Sequence, residues 1–358
     1  MEAPVNVNDY APLARLRLSE QVWNYVAGGA GDEHSLGWNE AAWQRLALLP
    51  RVLVDVSLVD TSTTLLGHRL AHPILLAPTA AQASYHSDAE AATLAGAAAG
   101  EALAVMSTLG STPVAALGAS ARGPWWFQLY VQPDRAFTEA LVGRAVDAGA
   151  SALMVTADTP LLGARDTDRR VGGHTVDALH PPNLAELPAA PRDPGARPHE
   201  RVYNPHLDPS LTWAALRWLI ELSPVPVLVK GVVRPDDARR AVDHGAAGVV
   251  VSNHGARNLD TVVATATALP AVAAAVSGQV PVLVDGGLRR GTDVAKAVCL
   301  GADAVLVGRP AIWGLAVDGP DGVRDVVDLL RAELIMAMAL LGAPALADLT
   351  GDLLASPD

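Results

Sequence analysis

Eight short apolar runs bounded by turn residues recur along the chain, at 73–80, 102–108, 125–130, 152–158, 226–232, 248–254, 281–287 and 304–310. Nearly all are continuous rather than alternating, as in strands that helices bury on both faces, so a parallel sheet is expected. Helical segments lie between them. Ser87 and Glu90 read as a capping box before an alanine-rich helix, Pro133-Asp134 opens a helix over 133–148, and Pro235-Asp236 opens one over 235–244. Eight βα units within about 240 residues match an α/β TIM (β/α)8 barrel in number and size. An open doubly wound sheet would bring a glycine-rich dinucleotide fingerprint after its first strand, and PILLAPTAAQ contains none.

The chain is therefore expected to be one domain over 1–358. Residues 1–72 form an N-terminal helical extension whose short helices and small hairpin cover the lower mouth, 73–312 the barrel core, and 313–358 the C-terminal helices, with 320–342 a closing amphipathic helix. The rhythm breaks at 166–211, after the fourth strand, where Pro, Gly, Arg and Asp accumulate. A loop of that length at the C-terminal face is either an active-site lid or an inert connection.

Composition narrows the function. Half the residues are apolar and 18% are charged, as in an ordinary globular enzyme. The net charge of −12 has the wrong sign for a protein that neutralises phosphodiester backbones, so no nucleic-acid partner is expected. Cys299 is the sole cysteine, which excludes an intramolecular disulfide and a zinc cluster, and no metal is expected. The N-terminus has no basic-then-apolar leader, and the uncharged stretch 261–284 is interrupted by Pro270, Gly278 and Pro281, so it reads as helix, turn and strand. A cytoplasmic protein with no membrane partner is the expectation.

Active sites of this architecture form at the C-terminal ends of the strands. The polar residues there are Thr79 and Ala80, Ser107 and Thr108, Gln128 and Tyr130, Thr156 and Asp158, Lys230, Ser252 with Asn253 and His254, Asp285, and Gly308 with Arg309. Amide, hydroxyl and ammonium groups converging in this way suit a large polar cofactor. Only two of the 26 basic residues are lysines; Lys296 reads as a surface residue, whereas Lys230 ends a buried strand, where its charge must meet an anion or a polarised oxygen. Glycines and arginines after strands seven and eight, in DGGLRRGTD from Asp285 and in VGRP to Pro310, occupy the usual phosphate corner of such barrels. Histidine is the side chain suited to taking a proton near neutrality, which makes His254 the candidate base; Asp158 could orient it, and Arg165 and Arg257 could grip a carboxylate.

These residues resemble the FMN-dependent α-hydroxy acid oxidases and dehydrogenases, the family of glycolate oxidase, lactate oxidase and mandelate dehydrogenase. The resemblance spans nearly the whole chain. It is carried by Tyr25 with VAGGAGDE, Asn39, Pro50-Arg51-Val-Leu, LAPTA at 76–80, FQLYV at 127–131, TADTPLLGARDTDRR at 156–170, LVKGV at 228–232, SNHGARNLD at 252–260 and DGGLRRGTDVAKA at 285–297. It implies FMN held by Ala77, Pro78, Thr79, Ala80, Ser107, Gln128, Thr156, Lys230, Ser252, Asp285 and Gly286, with its phosphate at Gly287, Arg289, Gly308 and Arg309. Lys230 would stabilise negative charge on the reduced ring. Arg165, Arg257, Tyr25 and Tyr130 would bind the substrate, and His254 would act as base with Asp158 behind it.

The implied reaction is oxidation of an (S)-2-hydroxy acid to a 2-keto acid, with O2 as acceptor and H2O2 as product, in a homotetramer. Proton loss from oxygen with hydride loss from carbon, and proton loss from carbon, both use the same base. A quinone or protein acceptor is the alternative within the class; an FMN-barrel isomerase and a non-catalytic flavin-binding barrel are alternatives outside it. Two departures stand out. Asn258 replaces the glutamine usual in HGxRQLD, and Leu109 lies where the glycolate oxidases tend to have a pocket-closing tryptophan. Leu109 favours lactate or a medium-chain or aromatic, mandelate-like hydroxy acid over glycolate.

Overall fold

The computed structural model describes residues 3–172, 181–187 and 206–355. Strands β1 (Thr63–Leu65) and β2 (His68–Leu70) form an antiparallel hairpin. The eight apolar runs become β3 (Ile74–Leu76), β4 (Ala104–Ser107), β5 (Trp125–Leu129), β6 (Leu153–Thr156), β7 (Val227–Val232), β8 (Gly248–Val251), β9 (Val282–Val284) and β10 (Ala304–Val307). They pair in parallel in sequence order, and β10 returns to β3 to close the barrel. The strands are continuously apolar because both faces are buried. Leu75, Val105, Trp126, Met154, Leu228, Val250, Leu283 and Leu306 fill the interior, while their chain neighbours face the helices. Leu65 and Leu70 of the hairpin join the interior cluster and plug the N-terminal mouth. Each fully buried leucine of that plug contributes about 1.5–3 kcal/mol.

Helices α1 (Tyr10–Arg17), α2 (Glu20–Ala27) and α3 (His34–Arg45) precede the barrel. The hairpin caps the lower mouth. The segment from α2 to α3 instead reaches the opposite end, where Arg309 donates to the carbonyls of Val26 and Gly28 and the Trp43 indole donates to the carbonyl of Gly286. Lys296 is buried beneath α3, where Nζ donates to the Trp43 carbonyl at 2.9 Å, so the surface reading of that lysine is corrected. The partner that buries it lies far away in sequence.

Helix α4 (Ala89–Ala99) forms where expected, but its N-cap is Asp88 and Ser87 makes no capping box with Glu90. The buried Glu90 carboxylate accepts from the Ser111 N–H and the Thr112 hydroxyl, so tertiary partners take the group that a local cap would have used. Helices α5 (Val114–Ser120) and α6 (Arg135–Asp147) follow, the latter capped by the Asp134 carboxylate on the Phe137 N–H. Of the expected lid, α7 (Asp166–Arg170) and a short turn over Pro182–Leu184 are described; 173–180 and 188–205 lie outside the described residues. Helices α8 (Trp213–Leu222), α9 (Pro235–Asp243), α10 (Thr265–Val276) and α11 (Gly291–Cys299) complete the ring. Helix α12 (Arg309–Leu341) breaks at Asp318 and Gly319, and the stretch after the break is the closing helix.

Strand β7 bulges between Lys230 and Val232, with Gly231 at a φ of 104°. A Cβ there would lie 2.5 Å from Asp158, so glycine lets the Asp158 side chain lie against the strand that carries Lys230.

Candidate active site

One cavity opens at the C-terminal ends of the strands, and most of the residues expected at a site line it. They are Tyr25, Ala77, Pro78, Thr79, Ala80, Ser107, Leu109, Gln128, Tyr130, Thr156, Arg165, Lys230, His254, Arg257, Asp285, Gly286, Gly287, Arg289, Gly308 and Arg309. Asp158 and Ser252 stand behind this wall, on His254 and Lys230 respectively. Thr108 and Asn253 do not belong to the wall. The Thr108 hydroxyl donates to the Gln128 carbonyl, and the Asn253 amide exchanges bonds of 2.9 and 2.8 Å with Asn39 while accepting from the Ala256 N–H. These two strand-end residues hold backbone together.

His254 opens a run of three left-handed residues, with φ values of 59°, 61° and 61° through Gly255 to Ala256. Two side chains from the same segment brace it: Ser252 Oγ accepts from the His254 N–H, and Asn253 Oδ1 accepts from that of Ala256. Such backbone is costly for a residue with a Cβ and persists where surrounding bonds over-determine it. His254 Nδ1 lies 3.0 Å from Asp158 Oδ1 and 3.2 Å from the Thr159 hydroxyl, and Nε2 lies 3.5 Å from the Tyr130 hydroxyl. Burial would push the Asp158 carboxyl up, but His254, Lys230 and Thr159 together hold it below its usual range. It is therefore an anion that fixes the Nδ1 proton and leaves Nε2 facing the cavity as an acceptor. Burial pushes the Tyr130 hydroxyl up, keeping it protonated. Asn258, the residue that replaces glutamine, donates to the Asp158 carbonyl and to Thr159 Oγ1 at 2.9 and 2.7 Å. The shorter amide thus still holds the carboxylate's own backbone.

Along one wall, Ser107 Oγ donates to Gln128 Oε1 and Gln128 Nε2 donates to Thr156 Oγ1, both at 3.0 Å, giving a polar row across the ends of β4, β5 and β6. Lys230 continues it. Its ammonium meets Asp285 at 2.9 Å and Ser252 at 2.7 Å. Burial opposes the Lys230 charge, yet Asp285 and Asp158 raise its pKa above the ordinary value.

The basic end carries more positive charge than its neighbours neutralise. Arg289 pairs with Glu40 at 2.7 Å and lies over the Trp313 ring. Arg309 donates to the carbonyls of Val26, Gly28 and Gly255. Arg257 likewise donates to backbone carbonyls at Tyr25, Val26 and Gly28. Neither meets a carboxylate within ion-pair distance among the described residues. Burial and neighbouring guanidiniums depress the pKa of both. Half-buried cations on a cavity wall with no carboxylate beside them call for an anion. The donor set therefore fits FMN on structural grounds: a basic corner for its phosphate, and an amide, hydroxyl and ammonium wall for the polar edge of its ring.

The glycines at 286 and 287 line the cavity and are also approached from behind by another part of the chain. A Cβ on Gly287, at φ 81°, would lie 2.5 Å from the Asn39 backbone, so the close approach there is made by α3. Four participants carried no sequence signal of their own: Glu40 opposite Arg289, Trp313 beneath it, Thr159 between His254 and Asp158, and Tyr85 on the cavity wall. Each is recognisable only through a neighbour distant in the chain or in an irregular loop.

Residues 14–356 match the family described as FMN-dependent dehydrogenase. An L-lactate oxidase of Nostoc sp. is 45% identical over 355 residues, covering 98% of this chain and 97% of that protein. A peroxisomal (S)-2-hydroxy-acid oxidase of Oryza sativa subsp. japonica is 45% identical over 358 residues, covering 97% and 94%. A solved structure of mandelate oxidase with (S)-4-hydroxymandelic acid superposes with a TM-score of 0.90 at 38% identity, covering 98% of each chain.

Proposed function

The chain belongs to the FMN-dependent dehydrogenase family, and from that premise we propose that it oxidises an (S)-2-hydroxy acid to the 2-keto acid, with O2 reduced to H2O2. FMN is the cofactor; when bound it supplies a two-electron acceptor for the carbon that becomes the carbonyl. We assign it to Ala77, Pro78, Thr79, Ala80, Ser107, Gln128, Thr156, Lys230, Ser252, Asp285 and Gly286, and its phosphate to Gly287, Arg289, Gly308 and Arg309.

The observation that carries the proposal is the convergence of a carboxylate-oriented imidazole and two guanidiniums on one cavity. Arg165 and Arg257 flank the Tyr25 ring, each guanidinium carbon 5.0 Å from its centre, and Arg257 meets no carboxylate within ion-pair distance among the described residues. A substrate carboxylate supplies the missing anion and sets the carbinol against His254. The Tyr130 hydroxyl, protonated and close to Nε2, orients the substrate hydroxyl. His254 Nε2 accepts the departing proton and Asp158 stabilises the imidazolium that results. Lys230 sets positive charge where the cofactor gains negative charge. A peroxide assay in air with lactate, mandelate, glycolate and 2-hydroxyoctanoate tests the proposal: peroxide and keto acid appear together for at least one (S)-enantiomer, and absence of both for all four refutes it.

Leu109 and Leu162 give the cavity an apolar side, and Leu109 leaves room for a lactate, medium-chain or aromatic substituent. Leu109→Trp is expected to lower kcat/KM for mandelate about tenfold or more relative to glycolate, since a filled pocket excludes the larger group. Equal effects on both would remove Leu109 from substrate selection.

We read the chain as a single FMN-binding unit that assembles as a homotetramer. Val52 and Leu58 are 80% and 81% exposed, and this segment runs beside the end of α12, where the Arg51 N–H donates to the Leu341 carbonyl and Met336 and Leu340 are exposed. Exposed apolar side chains on these two neighbouring segments suit a second copy of the chain. Val52→Asp is expected to lower the mass measured by light scattering while FMN stays bound; an unchanged tetramer would place the contact elsewhere.

A further inference from the structure

Tyr85 belongs to the irregular segment between β3 and α4 and has no role in the site as described so far. It lines the same cavity, is 6% exposed, and its hydroxyl is buried without a hydrogen-bond partner among the described residues. Buried hydroxyls are nearly always paired, and one left unpaired in a protein with a ligand site calls for a missing partner. The groups whose charge reaches the Tyr85 hydroxyl are Tyr25, Arg257, Arg165 and Asp168, the carboxylate-binding end of the cavity. Arg165 adds a second orphan, since its buried Nε has no hydrogen bond and sits 3.9 Å from Asp168. Two buried donors without a hydrogen bond among the described residues therefore lie at the same end of the cavity.

We infer that the Tyr85 hydroxyl is a further substrate-binding group, donating to the substrate carboxylate alongside Tyr25, Arg165 and Arg257. The inference rests on the hydroxy-acid reading of the site. One acceptor-rich anion relieves both orphans, which an apolar group could not do. Burial keeps the phenol protonated, so it acts as a donor throughout the working pH range. The bond forms to the carboxylate, which is common to substrate and transition state, so its loss weakens binding without slowing the bound complex.

Tyr85→Phe removes the hydroxyl and keeps the ring. The test measures oxalate, a carboxylate with no carbinol hydrogen, by its perturbation of the bound flavin spectrum, together with steady-state kinetics on lactate and mandelate. Loss of a hydrogen bond to a charged group predicts oxalate binding weaker by about tenfold or more. KM should rise by a similar factor for both substrates at every pH, with kcat within about twofold. Flavin content should be unchanged and the thermal midpoint equal or higher, because an unpaired buried group is removed. Unchanged oxalate binding overturns the inference. So does a loss confined to one substrate, which would assign the hydroxyl to the side-chain pocket, and so does a fall in stability with loss of flavin, which would make it structural. If the native flavoprotein binds oxalate but no hydroxy acid is oxidised, the reading of the reaction fails separately.

Discussion

His254→Gln is expected to keep its bound yellow flavin while reduction by a 2-hydroxy acid slows by about 10²–10⁴-fold, the range for loss of a positioned general base. Glutamine has similar length and still offers polar atoms to Asp158 and Tyr130, but it cannot accept a proton near neutrality. The residues assigned to the cofactor are on other strand ends: the Ser107, Gln128 and Thr156 row, and the basic corner at Arg289 and Arg309. Binding and chemistry should therefore separate in this variant. Rapid-mixing absorbance under anaerobic conditions reads both, through the starting spectrum and the rate of bleaching. Reduction at a near-native rate would remove His254 from its role.

Lys230→Met is expected to be the most damaging change to the folded site. Lys230 is 4% exposed and paired with Asp285, and Asp158 acts on it from the other side. Removing one partner of a buried pair leaves the other charge uncompensated, which costs about 3–5 kcal/mol. Among the described residues Asp285 already has one oxygen without a hydrogen bond, so none of them stands ready to replace the lost ammonium. The thermal midpoint should fall and flavin should dissociate on gel filtration. Burial opposes the charge of both Lys230 and Asp158, but their partners prevail. The Lys230 pKa is raised above the ordinary 10.5, so its contribution is complete below that value and is lost only as pH rises through the higher folded value. The Asp158 pKa is lowered beneath 3.8, so its contribution holds above that value and is lost as pH falls through the lower folded value. In the native protein the contributions of these two groups should thus stay nearly level from about pH 4 to about pH 10. A stable, flavin-retaining methionine variant would contradict this account of the pair.

The barrel was legible because its strands are buried on both faces, which leaves a hydrophobic run with no alternation to obscure it. The site was legible for the same reason: a polar residue ending such a run has few places to go except the C-terminal face. His254, Lys230, Gln128 and Thr156 are of that kind. What could not be read were partnerships set by chain segments far apart. Lys296 looks like any exposed lysine until α3 is laid over it, and Glu90 looks like half of a cap until Ser111 and Thr112 arrive beside it. Asn253 looks like a site residue because it ends a strand, yet Asn39, 214 positions earlier, claims its amide. Gly287 signals close approach correctly without telling whether the approaching body is a phosphate or a helix. Tyr85 lies in a loop with no periodicity, where neither burial nor a free hydroxyl can be inferred.

The central claim is that an oriented imidazole and a carboxylate clamp deliver a hydroxy acid to bound FMN. Its most direct measurement is an anaerobic titration of the purified flavoprotein with the separate enantiomers of lactate and mandelate. The account predicts that an (S)-enantiomer bleaches the flavin stoichiometrically and yields the keto acid, that the (R)-enantiomer does not, and that air restores the colour with release of H2O2. Flavin that stays fully oxidised under excess of every hydroxy acid would contradict it.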